Sequence, residues 1–464
     1  MLANLFNTFA NCFKIPELKS RIIFTLLVLV VCRVIAWVTV PGLDGAALRE
    51  WFAQNAASGT AGMGLLGLYS SFTGGALQKC AVGALGIMPY ITASIIVQLL
   101  TAVYPPWAKM AREEGGRVKL IQMSRFLTLL LCLGHGTLMT LGWENPEKIF
   151  PGFTGNLVLI DNIWWYRIQT VVLLTAGTLL LMWLGEQITE RGIGNGVSLV
   201  ITVGIVADFP MAMTAVKDMF FPGGGVESQF NLFHAIALIL LLGAVIAAVI
   251  AVTQAQRKIP VQYAQRAVGR KVYQASSSFM PIRVNYAGVM PIIFAQAILM
   301  FPSMIFLKLG ELTSPGVASV FNSIGTNLSP GRLWYYVLFG LMILFFSYFW
   351  VATQFNELQI SDDLKKHGGY IPGVRPGQAT SDFLHRTMSR ITLAGALFLM
   401  AIALIPMLMG DFFNINPYVS QFFGGTSVLI TVGVLLDTMR QMETHLLMRH
   451  YDGFLKKGRL KGRF

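Results

Sequence analysis

Charge is what this chain has least of. Only 12% of its 464 residues are Asp, Glu, Lys or Arg, where a soluble domain carries about 25%, so much of the surface must face something other than water. Cysteine is scarce too: Cys12, Cys32, Cys80 and Cys132 are nowhere closer than twenty residues, which excludes a CxxC redox motif and argues against a clustered metal site. The six histidines, His135, His234, His367, His385, His445 and His450, show no HExxH-like spacing. Two GxGxxG-like patches lack the flanking strand that a nucleotide site needs. No catalytic residue, cofactor or metal is therefore expected, and neither is enzymatic activity. Residues 1–21 lack a basic-then-apolar start and a small-residue cleavage site, so no cleavable signal peptide is expected. Leu5, Phe6, Phe9 and Phe13 suggest instead an amphipathic helix on a membrane surface.

What the chain does have is long apolar runs. Hydrophobic residues make up 55% of it. Runs with few charges fall near 22–40, 80–101, 123–143, 166–185, 197–216, 232–253, 288–307, 333–353, 391–409 and 419–437. A bilayer span needs roughly 20 apolar residues, and in hydrocarbon each backbone polar group must be satisfied within its segment, so these runs predict helices. The short alternating strands of a membrane β-barrel are missing. The fold class expected is all-α and polytopic, with about ten transmembrane helices.

Lys and Arg set the orientation. Alternate segments, starting with the N-terminal one, hold 27 of the 35 basic residues. Both termini are therefore expected on the cytoplasmic side, which requires an even number of spans. Five spans precede residue 220 and five come after 230, so the halves insert with opposite topology, the layout of an inverted repeat with its functional path between halves. The expected organisation is an amphipathic segment at 1–21, halves at 22–220 and 221–438, large cytoplasmic loops at 254–286 and 355–390, and a basic cytoplasmic tail at 439–464.

Several segments suggest function. Between Gly59 and Gly86 lie eight glycines. Glycine inside a helix costs about 1 kcal/mol relative to alanine, so this stretch is at best marginally helical; it reads as a re-entrant or external loop, or as a movable part beside a water-filled cavity. The loop at 254–286 carries six basic residues, no acidic one, and Tyr263, Tyr273 and Tyr286. That pattern suits RNA phosphates and bases, anionic lipid, or plain positive-inside bias. The loop at 355–390 is mixed in charge and presents Arg375 among turn-forming Gly and Pro. Arg33 is the one clear charge within a span, either a functional residue or one with a packing or snorkelling role. Acidic side chains are nearly absent from span centres, which weighs against proton-coupled transport.

Five sets of motifs, in order along the chain, resemble the SecY family: ALGIMPYITASIIVQLLT (84–101); GEQITERGIGNGVSLVI (185–201); RKIPVQYAQRAVGRKVY (257–273) with VNYAGVMPIIFAQAILMFP (284–302); DDLKKHGGYIPGVRPGQAT (362–380); and FFGGTSVLITVGVLLDT (422–438). Loops match as well as helices. The resemblance implies an hourglass-shaped, protein-conducting pore in the bacterial cytoplasmic membrane, with two inverted five-helix halves. By motif position it places an aliphatic pore ring at Ile87, Ile91, Ile201, Ile293 and Ile430. Such a constriction dewets and resists ions yet deforms around a polypeptide. It places a plug at about 60–76, including Gly64, Leu65, Leu66, Gly67, Leu68, Tyr69, Ser70, Ser71 and Phe72, and a lateral gate between the second/third and seventh/eighth helices. Gln98 and Gln296 lie on gate helices, where they can bond across the gate or to local backbone. The seventh helix reads FAQAI where the family often has small hydroxyl residues. The resemblance also implies SecE-like and SecG-like small subunits, unfolded secretory or membrane proteins as substrates, and docking of the ribosome or a SecA-like motor ATPase at Arg266, Arg270 and Arg375. A secondary transporter for a small solute is the competing expectation.

Overall fold

Helix starts in this chain are set by proline and asparagine. Pro16, Pro89, Pro105, Pro210, Pro291 and Pro315 each stand in the first turn of a helix, where the missing N–H has no intrahelical partner to lose and the fixed φ is already helical. Asn162, Asn195 and Asn356 each stand just before a helix and accept a hydrogen bond from the N–H three residues on, at 3.1–3.3 Å.

The structure, a computed structural model, describes residues 15–58, 64–113, 115–150, 152–221, 231–263, 266–268, 271–273, 277–413, 415, 419–420, 422 and 426–457. Leu5, Phe6, Phe9 and Phe13 of the expected surface helix lie outside these residues. The chain divides into two units: Met1–Asn231 with Asn416–Phe422 and Val434–Phe464, and Leu232–Ile415 with Phe423–Gly433.

The first unit contains α1 (Pro16–Ile35), α2 (Gly45–Ser58), α3 (Gly64–Thr73), α4 (Met88–Val103), α5 (Pro105–Arg112), α6 (Gly116–Glu144), α7 (Ile163–Arg191), α8 (Gly196–Ala207) and α9 (Phe209–Phe220). The second contains α10 (Leu232–Gln254), α11 (Met290–Leu312), α12 (Pro315–Asn327), α13 (Leu333–Gln354), α14 (Glu357–Lys366) and α15 (Gln378–Phe412). The last helix, α16 (Thr426–Lys457), begins in the second unit and belongs to the first from Val434 onward. It runs beyond the apolar stretch that ends near 438.

Helices cover the expected spans: α1, α4, α6, α7, the α8–α9 pair, α10, α11, α13, α15 and α16. Among the described residues seven helices are long and apolar enough to cross a membrane by themselves. The pair α4–α5, bent by 104°, makes an eighth if taken as one span. With 16 residues α4 is short for a bilayer, and α1 and α16 carry charged residues along their length, which is why hydropathy alone passes over them.

In the first unit α6 and α7 are pinned near both ends. Arg167 grips Glu144 with two bonds of 2.6 and 2.8 Å, and Arg125 grips Glu186 at 3.2 and 2.6 Å. The turn between α7 and α8 is tied to α16, since the Gly194 N–H donates to Gln441 Oε1 at 2.9 Å.

The second unit holds strands that apolar patterning alone did not predict. β1 (Gln256–Tyr263) pairs antiparallel with β4 (Ser277–Arg283) and with β5 (Gly369–Tyr370), in the order β4-β1-β5. A separate hairpin joins β2 (Arg266–Val268) to β3 (Lys271–Tyr273). β1 alternates: Ile259 and Val261 are buried while Lys258 and Pro260 are exposed, the period expected of a sheet with one covered face. The covered face packs Ile259 and Ile282 with Val351, Phe355, Ile371, Leu384, Met388 and Ile391. One apolar core thus joins the expected loops to the ends of α13 and α15.

Candidate functional site

The Gly-rich segment does form a helix. α3 spans ten residues, and Tyr69, Ser70, Ser71 and Phe72 are buried. Gly67 is buried and Leu66 half-buried; Gly64, Leu65 and Leu68 are described only as helix backbone. Residues 60–63 of the expected plug lie outside the described residues.

Hydrogen bonds hold the C-terminal end of α3. The Thr73 hydroxyl donates to the Ser70 carbonyl at 3.0 Å, and the Gln78 amide donates to Ser70 Oγ at 2.7 Å. Arg33 Nη1 donates to the Gly74 carbonyl at 2.9 Å. Gly74 has φ +64°, and a Cβ there would overlap the Arg33 guanidinium, so only glycine fits. Gly204 on α8 allows a close approach: a Cβ there would stand 3.3 Å from Gly74 N, Phe72 O and Ser71 O.

Asp208 completes this arrangement. It sits at the break between α8 and α9, is buried, hydrogen-bonds Ser71, and lies in the field of Arg33 and Lys79. Its Oδ2 makes no hydrogen bond among the described residues. Sequence pattern singled out Arg33 but missed this carboxylate, although Asp208 is the one acidic residue in the apolar stretch 197–216. Charges at this depth are costly unless paired, and here both groups bear on the C-terminal end of α3, Asp208 through Ser71 and Arg33 through Gly74 just beyond it.

Of the expected ring residues, Ile87, Ile91 and Ile201 lie in the first unit, at 1%, 4% and 1% exposure. Ile87 caps α4, and the Ile91 N–H donates to its carbonyl at 3.2 Å, which puts both on one helix face. A small cavity of about 20 Å³ is bordered by Ile87, Arg33, Val203 and Gly204 together with Phe72 and Thr73. The structure thus brings one ring residue, the end of α3 and the half-buried Arg33 to the same void. Ile293 and Ile430 lie in the second unit, on α11 and α16, and both are fully covered. Their helices are tied by Gln296, whose amide donates to Thr426 Oγ1 at 2.6 Å. Gln296 Oε1 is buried with no hydrogen-bond partner among the described residues. The other gate candidate, Gln98, donates one turn back to Ser94 Oγ at 3.2 Å, a local side-chain bond.

Of the expected docking residues, Arg375 is the one whose side chain is described, on the loop that follows β5. It is exposed, and the loop is fixed by bonds from Thr380 Oγ1 to the Arg375 carbonyl and from Ser361 Oγ to the Gly377 carbonyl. Arg266 begins β2, where only its backbone is described, and Arg270 lies outside the described residues. Strand β5 pairs with β1, and the Tyr370 hydroxyl donates to Gln262 Oε1 at 3.0 Å. The two large loops are therefore one continuous structure. Alternation in KIPVQY was the available signal for β1.

Comparison with known proteins settles the family. The SecY family model matches residues 81–439. The chain belongs to the SecY family. The protein translocase subunit SecY of Chlamydia trachomatis is 41% identical over 462 residues, covering 98% of this chain and 99% of that one. That of Thermotoga maritima is 42% identical over 465 residues, covering 99% and 100%. Among solved structures, a protein-conducting channel superposes with a TM-score of 0.59 at 19% identity, over 97% of this chain and 98% of the other. Sec61 in the canine ribosome–channel complex from the endoplasmic reticulum gives 0.56 at 19%, over the same shares. This chain therefore has the helical channel fold of a multi-pass bacterial membrane protein.

Proposed function

We infer that this chain is the channel subunit of a bacterial protein translocase. It passes unfolded secretory polypeptides across the cytoplasmic membrane and releases apolar segments sideways into lipid. Family membership along nearly the whole chain supports this reading. The observation that carries it is the seated helix α3, a short segment of marginal helicity held by a few hydrogen bonds beside Ile87 and Arg33.

In this reading α3 and its flanks are the plug, and Ile87, Ile91, Ile201, Ile293 and Ile430 form the ring that grips a passing chain. Gln98 and Gln296 lie on the gate helices, and the halves 22–220 and 221–438 are the parts that separate. The basic segments put both termini and the β-sheet in the cytoplasm. There Arg266, Arg270 and Arg375 dock a ribosome, through its RNA phosphates, or a SecA-like motor. SecE-like and SecG-like subunits clamp the halves. The chain itself catalyses no reaction; its partners supply the energy. A transporter reading draws on the half-buried Arg33 and the buried Asp208, but both groups are engaged with the segment that ends α3.

Ion conductance in planar bilayers, before and after deletion of residues 63–73, tests the reading. A silent wild type and a leaking deletion are expected. If both are silent while vesicles take up a small solute, the channel reading fails.

A further inference from the structure

The second unit contains a groove of about 550 Å³, lined by Gln256, Pro281, Arg283, Tyr286, Trp350 and Gln354. We propose that it binds the phosphate headgroup of an anionic phospholipid.

The lining chemistry selects an anion. Each polar lining side chain offers an N–H or O–H donor: a guanidinium, two amides, a phenol and an indole. None is a carboxylate. The stretch 228–310, which supplies four of the six lining residues, has no Asp or Glu, and neither has α13. The acidic residue that comes soonest after α13, Glu357, is paired with His385 at 3.0 Å. Arg283 has no ion-pair partner among the described residues. It stands opposite Gln256 in the β1–β4 register, and Lys258, opposite Pro281, is next on the same face. Two basic side chains thus flank one face of the sheet, where strand alternation puts them together. The C-terminal turn of α13 contributes a partial negative charge, which a whole guanidinium charge outweighs.

Depth selects a lipid. Trp350 and Gln354 occupy the last turns of the membrane-length helix α13, and Gln256 lies two residues beyond α10. The groove therefore opens where two spans leave the hydrocarbon, on the side rich in Lys and Arg. Trp and Tyr concentrate at headgroup level, and basic pockets there take anionic headgroups. The aromatic walls are fixed: Trp350 packs edge-on against Phe294 and Tyr286 against Phe355, at centroid distances of 5.5 and 5.8 Å. The volume is within the range of about 300–1,000 Å³ typical of small-ligand sites.

The test uses the full chain released from nanodiscs of mixed phosphatidylglycerol and phosphatidylcholine, with native mass spectrometry to count retained lipid. The wild type is expected to keep one more phosphatidylglycerol than Arg283→Gln, with the population carrying it falling about tenfold in the variant. Arg283→Lys is expected to retain part of it. Equal retention by wild type and Arg283→Gln overturns the proposal. Release of the lipid by excess inorganic phosphate assigns the groove to a free anion and also overturns it. So does a duplex RNA oligonucleotide whose binding Arg283→Gln abolishes while lipid retention is unchanged. If Arg283→Gln does not elute as folded protein, Gln354→Leu, at an exposed position, carries the test: reduced retention supports the site and unchanged retention refutes it.

Discussion

Replacing Arg33 with leucine tests the account of the plug most directly. The side chain donates one charge-assisted hydrogen bond to the Gly74 carbonyl, and such bonds contribute about 1.5–3 kcal/mol. Arg33 is only half-buried, so about 2 kcal/mol is the working figure. Each 1.4 kcal/mol is tenfold in an equilibrium, so the population with α3 unseated should rise roughly 30-fold. Asp208 then keeps only Lys79 among the cations that bear on it, and an uncompensated buried carboxylate pushes the same way. The assay is planar-bilayer conductance, with thermal unfolding of the detergent-purified chain beside it. Arg33→Leu should leak without substrate. An Arg33→Leu, Asp208→Asn double variant should leak less than the two single effects combined, because removing both charges leaves neither unpaired. A variant as tight and as stable as wild type would falsify the latch. A fall in stability without leakage would assign Arg33 to the fold rather than to the seal.

The remaining predictions concern other parts of the molecule. Gly204→Leu should unseat α3, because even a Cβ would stand 3.3 Å from the Ser71 and Phe72 carbonyl oxygens of α3 and from Gly74 N just beyond it; an unchanged conductance would contradict the close packing of α8 on that segment. Gln296→Leu should cost less than about 1 kcal/mol, because it also removes the unpartnered Oε1, whereas Thr426→Val leaves the whole amide unpaired and should cost about 1–3 kcal/mol. Thermal unfolding that gives the opposite order would show that the Gln296–Thr426 bond is not what ties α11 to α16. Arg375→Glu should impair motor-driven export into vesicles and leave the helical content unchanged; normal export would remove Arg375 from the docking surface. Asn195→Ala should lower stability by about 0.5–2 kcal/mol through loss of the cap on α8, readable in the same unfolding experiment.

Composition and short-range pattern alone determined the helical spans and set an expectation for their orientation. Ten apolar runs could only be helices, because hydrocarbon offers no partner to an unpaired backbone group. Basic residues in alternate segments implied an orientation. The Gly-rich stretch stood out as a loop or a movable part of at best marginal helicity, and Arg33 stood out because a charge in a span needs a reason.

Tertiary structure decided which groups answer one another. Arg33 and Asp208 are 175 positions apart in the chain, and nothing local to either says that both bear on the end of α3. Gln98 and Gln296 look alike in sequence, yet one bonds one turn back to Ser94 and the other reaches Thr426, 130 positions away. The loop sheet was hidden for a similar reason. β5 is two residues long and has no pattern of its own; it becomes a strand only because β1 offers it an edge. Hydropathy and capping act over a few residues, and a sequence displays them. Pairing across the fold depends on where the chain returns, which packing of the whole core decides.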